Sequence, residues 1–265
     1  MGRRLRLDAE LVRRGLARSR EQAAELIATG RVAVGGQRAA KAASQVAVNA
    51  AITVEQLGAQ PEYASRGGHK LAGALAAFGG LTVAGRRCLD AGASTGGFTD
   101  VLLRTGAAHV LAVDVGYGQL AWSLRTDDRV TVLDRVNIRS LDPALVAPPP
   151  DLVVADLSFI SLTLVIPALV ACASPAADFV LMVKPQFEVG RDLVRGGVVR
   201  DPQLRAAAVE AVASAAADRG LGVMDITASP LPGPSGNVEY FLWLCAGAPP
   251  LDPARLHAAV AAGPQ

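Results

Sequence analysis

The sequence predicts an α/β protein: a mostly parallel, doubly wound sheet whose last strand runs antiparallel, preceded by a small α+β module. Three observations predict it. From Arg86 onward, apolar runs of strand length alternate with helical patterns, the order that builds parallel sheets covered by helices on both faces. A glycine-rich turn, Gly92 to Gly97, separates the first of these runs from the first helix, and the next run ends on Asp114. Cationic residues crowd into the first 41 positions, ten against four acids for a local net of +6, in a chain whose overall charge is +2. A basic module on a near-neutral body points to a polyanionic partner.

Taken in order, residues 1–58 read as the small module. Asp8 begins a short helical pattern through Arg14, closed by Gly15. Ser19-Arg-Glu-Gln22 is a capping-box start to a second helix, which Gly30 ends. Residues 31–37 read as a strand entering a glycine turn and 51–55 as a later strand. Residues 59–65 form a linker, and Lys70 leads into a helix from Leu71 to Phe78. In the main domain, 66–245, strands are expected at 87–91, 109–114, 130–133, 152–156, 179–184, 222–228 and 238–244. Helices fall between them, most clearly Leu162–Ala173 and Pro202–Arg219. Only a loop joins the last two strands, so the final one is antiparallel. Residues 246–265 are rich in Ala and Pro and read as a peripheral tail.

Composition excludes several classes. With 51% apolar residues the chain can build a large core. Cys88, Cys172 and Cys245 are isolated, which fits a reducing compartment and neither a disulfide framework nor a zinc site. His69, His109 and His257 are scattered, so no metal centre is expected. The first residues lack a signal-peptide pattern, and the longest apolar run, Leu162–Ala173, contains Pro167 and is too short to span a bilayer. A cytoplasmic location without stable membrane insertion is the expectation.

The glycine turn narrows the ligand. A dinucleotide fold wants G-x-G-x-x-G; here Gly92, Gly96 and Gly97 form G-x-x-x-G-G, and no P-loop lysine follows. Asp90 and Asp114 instead set carboxylates at two strand ends, suited to a ligand with an amino group and a ribose diol such as S-adenosylmethionine (SAM). This is a Rossmann-like, SAM-dependent methyltransferase pattern. Expected cofactor contacts are Asp90, Gly92, Ser94, Thr95, Gly96, Gly97, Phe98, Asp114, Val115 and Asp156.

Of 26 cationic side chains only three are lysines, Lys41, Lys70 and Lys184. Positions kept as Lys in so arginine-rich a chain are those where losing a proton matters. Lys184 and Asp156 close predicted strands, Lys70 precedes the sheet, and Glu239 follows a glycine-rich loop into the last strand. Strand carboxyl ends are where open α/β sheets place ligands, so these four are expected to converge near the transferable methyl group. A neutral lysine would take the proton of a ribose hydroxyl, and the carboxylates would orient the ammonium groups and the sugar.

The chain resembles the TlyA family, 2′-O-ribose methyltransferases of ribosomal RNA often labelled hemolysin A-like. The resemblance runs from Arg3 to Leu244 and rests on Leu7–Arg20, Ser65-Arg-Gly-Gly-His-Lys-Leu71, Leu89–Thr99, Asp156-Leu-Ser-Phe-Ile160, Val183-Lys-Pro-Gln-Phe-Glu188 and Gly233–Tyr240. Ala64 departs from it, where members more often carry valine. It implies an amino-terminal RNA-binding domain of ribosomal-protein type and an FtsJ-like domain with a Lys-Asp-Lys-Glu tetrad at Lys70, Asp156, Lys184 and Glu239. It further implies cytidine methylation in rRNA of both ribosomal subunits, with sensitivity to capreomycin and viomycin.

Candidate RNA contacts are Arg4, Arg6, Arg14, Arg18, Arg20 and Lys41 on phosphates, with Arg66 and Ser235 nearer the chemistry. Phe159 is either a platform for a flipped-out base or a core aromatic under the next helix. Three other readings compete. A pseudouridine synthase is suggested by Arg6-Leu7-Asp8, but the SAM turn has no place in that chemistry. The others are a membrane-active hemolysin and an idle SAM-binding assembly factor.

Overall fold

A computed structural model describes residues 4–17, 19–48, 50–54, 63–190, 192, 194, 196–233 and 235–264. The chain forms two compact units, Met1–Pro61 and Glu62–Gln265.

The first unit contains β1 (Arg4–Arg6), α1 (Leu7–Arg13), α2 (Arg20–Ala28), β2 (Val32–Val34), β3 (Gln37–Arg38), β4 (Gln45–Ala47) and β5 (Ile52–Val54). Ser19 caps α2 as its sequence suggests, its hydroxyl accepting the Gln22 N–H at 3.1 Å. Strand β2 pairs antiparallel with both β3 and β5. Strands β1 and β4, which also pair antiparallel, escaped sequence reading because Arg-Leu-Arg and Gln-Val-Ala lack the repeated β-branched residues that mark Val32–Val34 and Ile52–Val54. Leu7, Leu11, Ala23, Ile27 and Val32 are the centre of a small core.

The second unit contains α3 (Arg66–Ala77), β6 (Arg87–Ala91), α4 (Gly97–Arg104), β7 (His109–Asp114), α5 (Trp122–Arg125), β8 (Val130–Asp134), β9 (Leu152–Ala155), α6 (Ile166–Cys172), β10 (Asp178–Val183), α7 (Pro185–Glu188), α8 (Pro202–Ala217), β11 (Leu221–Ala228), β12 (Tyr240–Ala246) and α9 (Pro253–Ala262). Among the described residues they build a seven-stranded sheet in the order β11-β12-β10-β9-β6-β7-β8. Strands β6 to β10 run parallel, and β12 lies antiparallel between β10 and β11. Alternate strand residues enter two separate cores. Leu89, Leu111, Val153 and Leu181 fill one, and Cys88, Val110, Val154 and Val180 the other. A sheet buried on both faces explains why its strands read as continuous apolar runs.

Several boundaries differ from the sequence reading. Helix α3 starts at Arg66, five residues before the expected Leu71, so Lys70 sits inside it. Gly67 and Gly68 disguised this turn, yet Gly68 is needed: an added Cβ would lie 2.4 Å from the Tyr63 Cβ. The stretch Leu162–Ala173 divides into a 3-10 turn, Leu162–Leu164, and α6, with Pro167 in its first turn. Asp156, Lys184 and Glu239 lie just outside β9, β10 and β12. The segment read as a peripheral tail contains α9, which buries Leu256 and Ala259 in the core beside β11.

Candidate active site

The chain runs from β6 outward through β7 and β8, then crosses back to place β9 on the other side of β6. A crevice opens at such a switch point, outside the strand carboxyl ends. The glycine turn leaves β6 and Asp156 leaves β9 at that place, where the Asp156 N–H donates to the Ala91 carbonyl at 3.0 Å.

Each strand-end acid has a definite task. Asp114 accepts the Ser94 N–H at 2.8 Å and the Gly116 N–H at 2.7 Å, so it fixes the turn and its own loop. Asp90 is fully buried. Its Oδ2 accepts the Thr99 hydroxyl at 2.6 Å, while Oδ1 is buried without a hydrogen-bond partner among the described residues. Burial, with the charges of Asp156 and Asp114, pushes this carboxyl up to about 7. An orphaned acceptor of this kind fits the amino group of a ligand. Val115 is largely exposed, whereas the Phe98 side chain is buried in the core beside Phe241 and Thr95 offers its carbonyl to the Ala121 N–H. The Phe98 ring thus packs beneath the turn.

Asp90 supplies a stability prediction. Between its ordinary value near 4 and about 7, the native state holds a proton that the unfolded chain has lost. Its contribution therefore weakens as pH rises through that window. Asp90→Asn should raise the melting temperature of the ligand-free protein at pH 8 by roughly 3–8 °C, with little gain at pH 5. Thermal melts at the two values check it; an equal shift at both would remove the titrating proton from the account.

The four predicted catalytic side chains form two buried or nearly buried ion pairs. Lys70, on α3, pairs with Glu239. Lys184 Nζ lies 2.6 Å from Asp156 Oδ1 and donates to Ser158 Oγ at 3.0 Å. Glycines bring the pairs to one edge. A Cβ on Gly67, one turn before Lys70, would stand 3.6 Å from Asp156 Oδ2, and one on Gly233 would stand 2.6 Å from Glu239 Oε1. Each ammonium is held by its own carboxylate. Ser158 was missed, although it stands two residues beyond Asp156.

The remaining candidates divide. Phe159 is 91% exposed, with its backbone in the left-handed region at φ +66°, so it is not a core aromatic. Its ring centroid lies 5.2 Å from that of Phe187. Ser235 is exposed, and Arg66 donates to the Pro232 carbonyl at 2.6 Å, shaping the loop before Glu239. In the first unit, Arg4 and Lys41 are exposed. Arg6 and Arg20 both reach the buried Asp8, at 2.9 and 3.0 Å, and with the Ala9 N–H they hold its carboxyl well below the usual range. Arg14 is a correction to the proposed RNA face. Its guanidinium binds Glu10 and the carbonyls of Val48 and Ala50, leaving the side chain 21% exposed. Arg18 lies outside the described residues. No described helix is long and apolar enough to cross a membrane.

Residues 63–246 match the FtsJ-like methyltransferase family, and residues 5–52 match the S4 domain. The chain is 64% identical over 245 residues to the Mycobacterium tuberculosis protein named 16S/23S rRNA (cytidine-2′-O)-methyltransferase TlyA, which covers 92% of this chain and 91% of that one. It is 42% identical over 241 residues to Bacillus subtilis YqxC, which carries a provisional rRNA methyltransferase name, with coverage of 90% and 85%. A solved structure from Streptococcus thermophilus with a provisional hemolysin name has a TM-score of 0.78 and 38% identity, covering 97% of this chain and 94% of that one.

Proposed function

Because the chain belongs to the FtsJ-like methyltransferase family and carries an S4 domain, we propose that it methylates the ribose 2′-hydroxyl of cytidines in rRNA of both ribosomal subunits, using SAM. The carrying observation is the pair of lysine–carboxylate bridges at the sheet edge, next to a glycine turn with an orphaned acid.

SAM supplies an electrophilic methyl group. Asp90 and Asp114 are the acids that would hold its amino group and ribose, with Gly92 to Gly97 and Val115 around it. The protein must then orient the 2′-oxygen and remove its proton. Lys184 is the proton acceptor in this reading. Asp156 and Ser158 orient the lysine, whose neutral amine is the reacting form. The amine takes the 2′-hydroxyl proton as the oxygen attacks. Lys70, fixed by Glu239, keeps a positive charge beside the developing oxyanion. Phe159 offers its face to the flipped-out base, and the capreomycin and viomycin sensitivity of cells would follow from the finished methyl groups.

Labelled SAM and subunits lacking the modification test the proposal. Label on ribose in both rRNAs supports it; label on bases, or none from folded protein that binds SAM, overturns it. In the same assay Phe159→Ala should lower kcat/KM about tenfold, in line with the loss of one base–aromatic stack. Unchanged turnover removes the stacking role.

RNA docking has its own check. Reversing Arg6 or Arg20 would set a carboxylate beside buried Asp8 and disturb the fold, so exposed Arg4 and Lys41 are the cleaner sites. Arg4→Glu with Lys41→Glu should weaken subunit binding about tenfold and reduce its salt slope by about 2, with SAM binding unchanged. Filter binding across a salt series measures both, and an unaltered slope would count against these contacts.

A further inference from the structure

The segment Asp156–Leu162 is gripped at both ends by residues 184–188. At the near end Lys184 holds Asp156 Oδ1 at 2.6 Å and donates to Ser158 Oγ at 3.0 Å. At the far end Glu188 accepts the Ser161 hydroxyl on Oε2 and the Leu162 N–H on Oε1, the latter at 2.9 Å. Between the anchors stands Phe159, almost fully exposed and in a backbone region that a phenylalanine rarely adopts. Between the same anchors on the other strand-end loop stands Phe187, its ring tilted 50° to that of Phe159. An aromatic displayed to water on a strained backbone persists only where its surroundings fix it. Lys184 belongs to the chemistry, while Glu188 has no part in it. Its carboxylate is half-buried, and both of its oxygens are spent on the loop that carries Phe159.

We propose that Glu188 is a positioning residue: it closes the far end of the 156–162 loop onto α7 and so holds Phe159 and Phe187 as a two-ring wedge for the base whose ribose reaches Lys184. This rests on the RNA-methylation reading and adds to it a second ring and the group that sets both. A tilted pair of rings presents one open aromatic face and an edge, which suits an unstacked base more than a paired one.

Two measurements test it. In hydrogen–deuterium exchange, Glu188→Ala should speed exchange of peptides spanning 157–164 tenfold or more and leave β10 unchanged. Glu188→Gln should keep native protection, because its carbonyl still accepts the Leu162 N–H and its amide donates to Ser161. Unchanged exchange in Glu188→Ala overturns the clamp, as does exchange that rises across β10 as well. In methyl transfer to unmodified subunits, Glu188→Ala should cut kcat/KM about tenfold with SAM affinity within twofold of wild type, and Glu188→Gln should restore most of it. Glu188→Ala added to a Phe159→Ala, Phe187→Ala background should slow the reaction no further, since Glu188 acts through those two rings. A further tenfold loss in the combined variant overturns the positioning role. If wild type transfers no methyl group, the rRNA reading falls, and the exchange result alone decides whether Glu188 sets the loop.

Discussion

Replacing Lys184 with alanine should reduce methyl transfer by about 10³-fold or more while SAM still binds. The size follows from the two tasks that Lys184 would lose together: accepting the 2′-hydroxyl proton and holding Asp156 and Ser158 in place. Alanine alone would leave the first task ambiguous, because it also strips Asp156 of its cation. Removing one member of a fully buried pair costs about 3–5 kcal/mol, and less here because Asp156 keeps some contact with water. Lys184→Arg separates the tasks. Arginine keeps the charge beside Asp156 yet does not give up a proton at working pH. It should melt close to wild type and still lose about 10³-fold in turnover. Arginine activity within tenfold of wild type would assign the residue to electrostatics and move the proton elsewhere. Single-turnover rates with labelled SAM, beside thermal melts, make the comparison.

Gly92→Ala should damage stability and cofactor binding together. Gly92 turns the chain out of β6 at φ +86°, where a side chain is strained before any neighbour is considered. A Cβ there would also stand 2.5 Å from the Asp156 carbonyl oxygen and 2.9 Å from Leu157. The carbonyl is backbone and cannot swing aside, so β6 and the Asp156 segment must part. Strain and overpacking together cost about 2–4 kcal/mol. Asp156 would move with its carbonyl, so SAM affinity should fall about tenfold or more and methyl transfer further still. Calorimetric titration with SAM and a denaturant melt measure the two losses. A variant with near-native stability and full SAM affinity would mean that the crevice is wider and softer than its atoms suggest.

Much of this could be read from the chain because the sheet is buried on both faces. Continuous apolar runs bounded by glycine or proline located β6, β7, β9 and β10, and three of the four candidate catalytic residues stand at or near the ends of such runs. Sequence reading failed where the signal is weak or acts over distance. Strands β1 and β4 carry charged and amide side chains where β2 and β5, of the same length, carry β-branched ones. The first turn of α3 hides behind two glycines that exist because Tyr63 leaves no room for a side chain. Arg14 looked like its neighbours, since nothing in a string of letters reveals that it faces Glu10 and two carbonyls from residues more than thirty positions later. Glu188 was visible as part of a motif, but its partners sit on another loop. The ambiguity of Phe159 was real in the sequence, because exposure depends on a backbone angle that residue type does not announce.

The strand made last sits inside the sheet: β12 fills the gap between β10 and β11 and is led in by Glu239. On a translating ribosome, the basic module and five parallel strands leave the exit tunnel before this piece exists. Until it arrives, β10 has an open edge and Lys70 has no counter-charge. A nascent chain can thus fold its amino-terminal unit well before it carries all four side chains of the proposed site. If Lys70 and Glu239 act as proposed, activity switches on only when synthesis has passed β12, and chains truncated by stalling before it stay silent and present an open edge for aggregation.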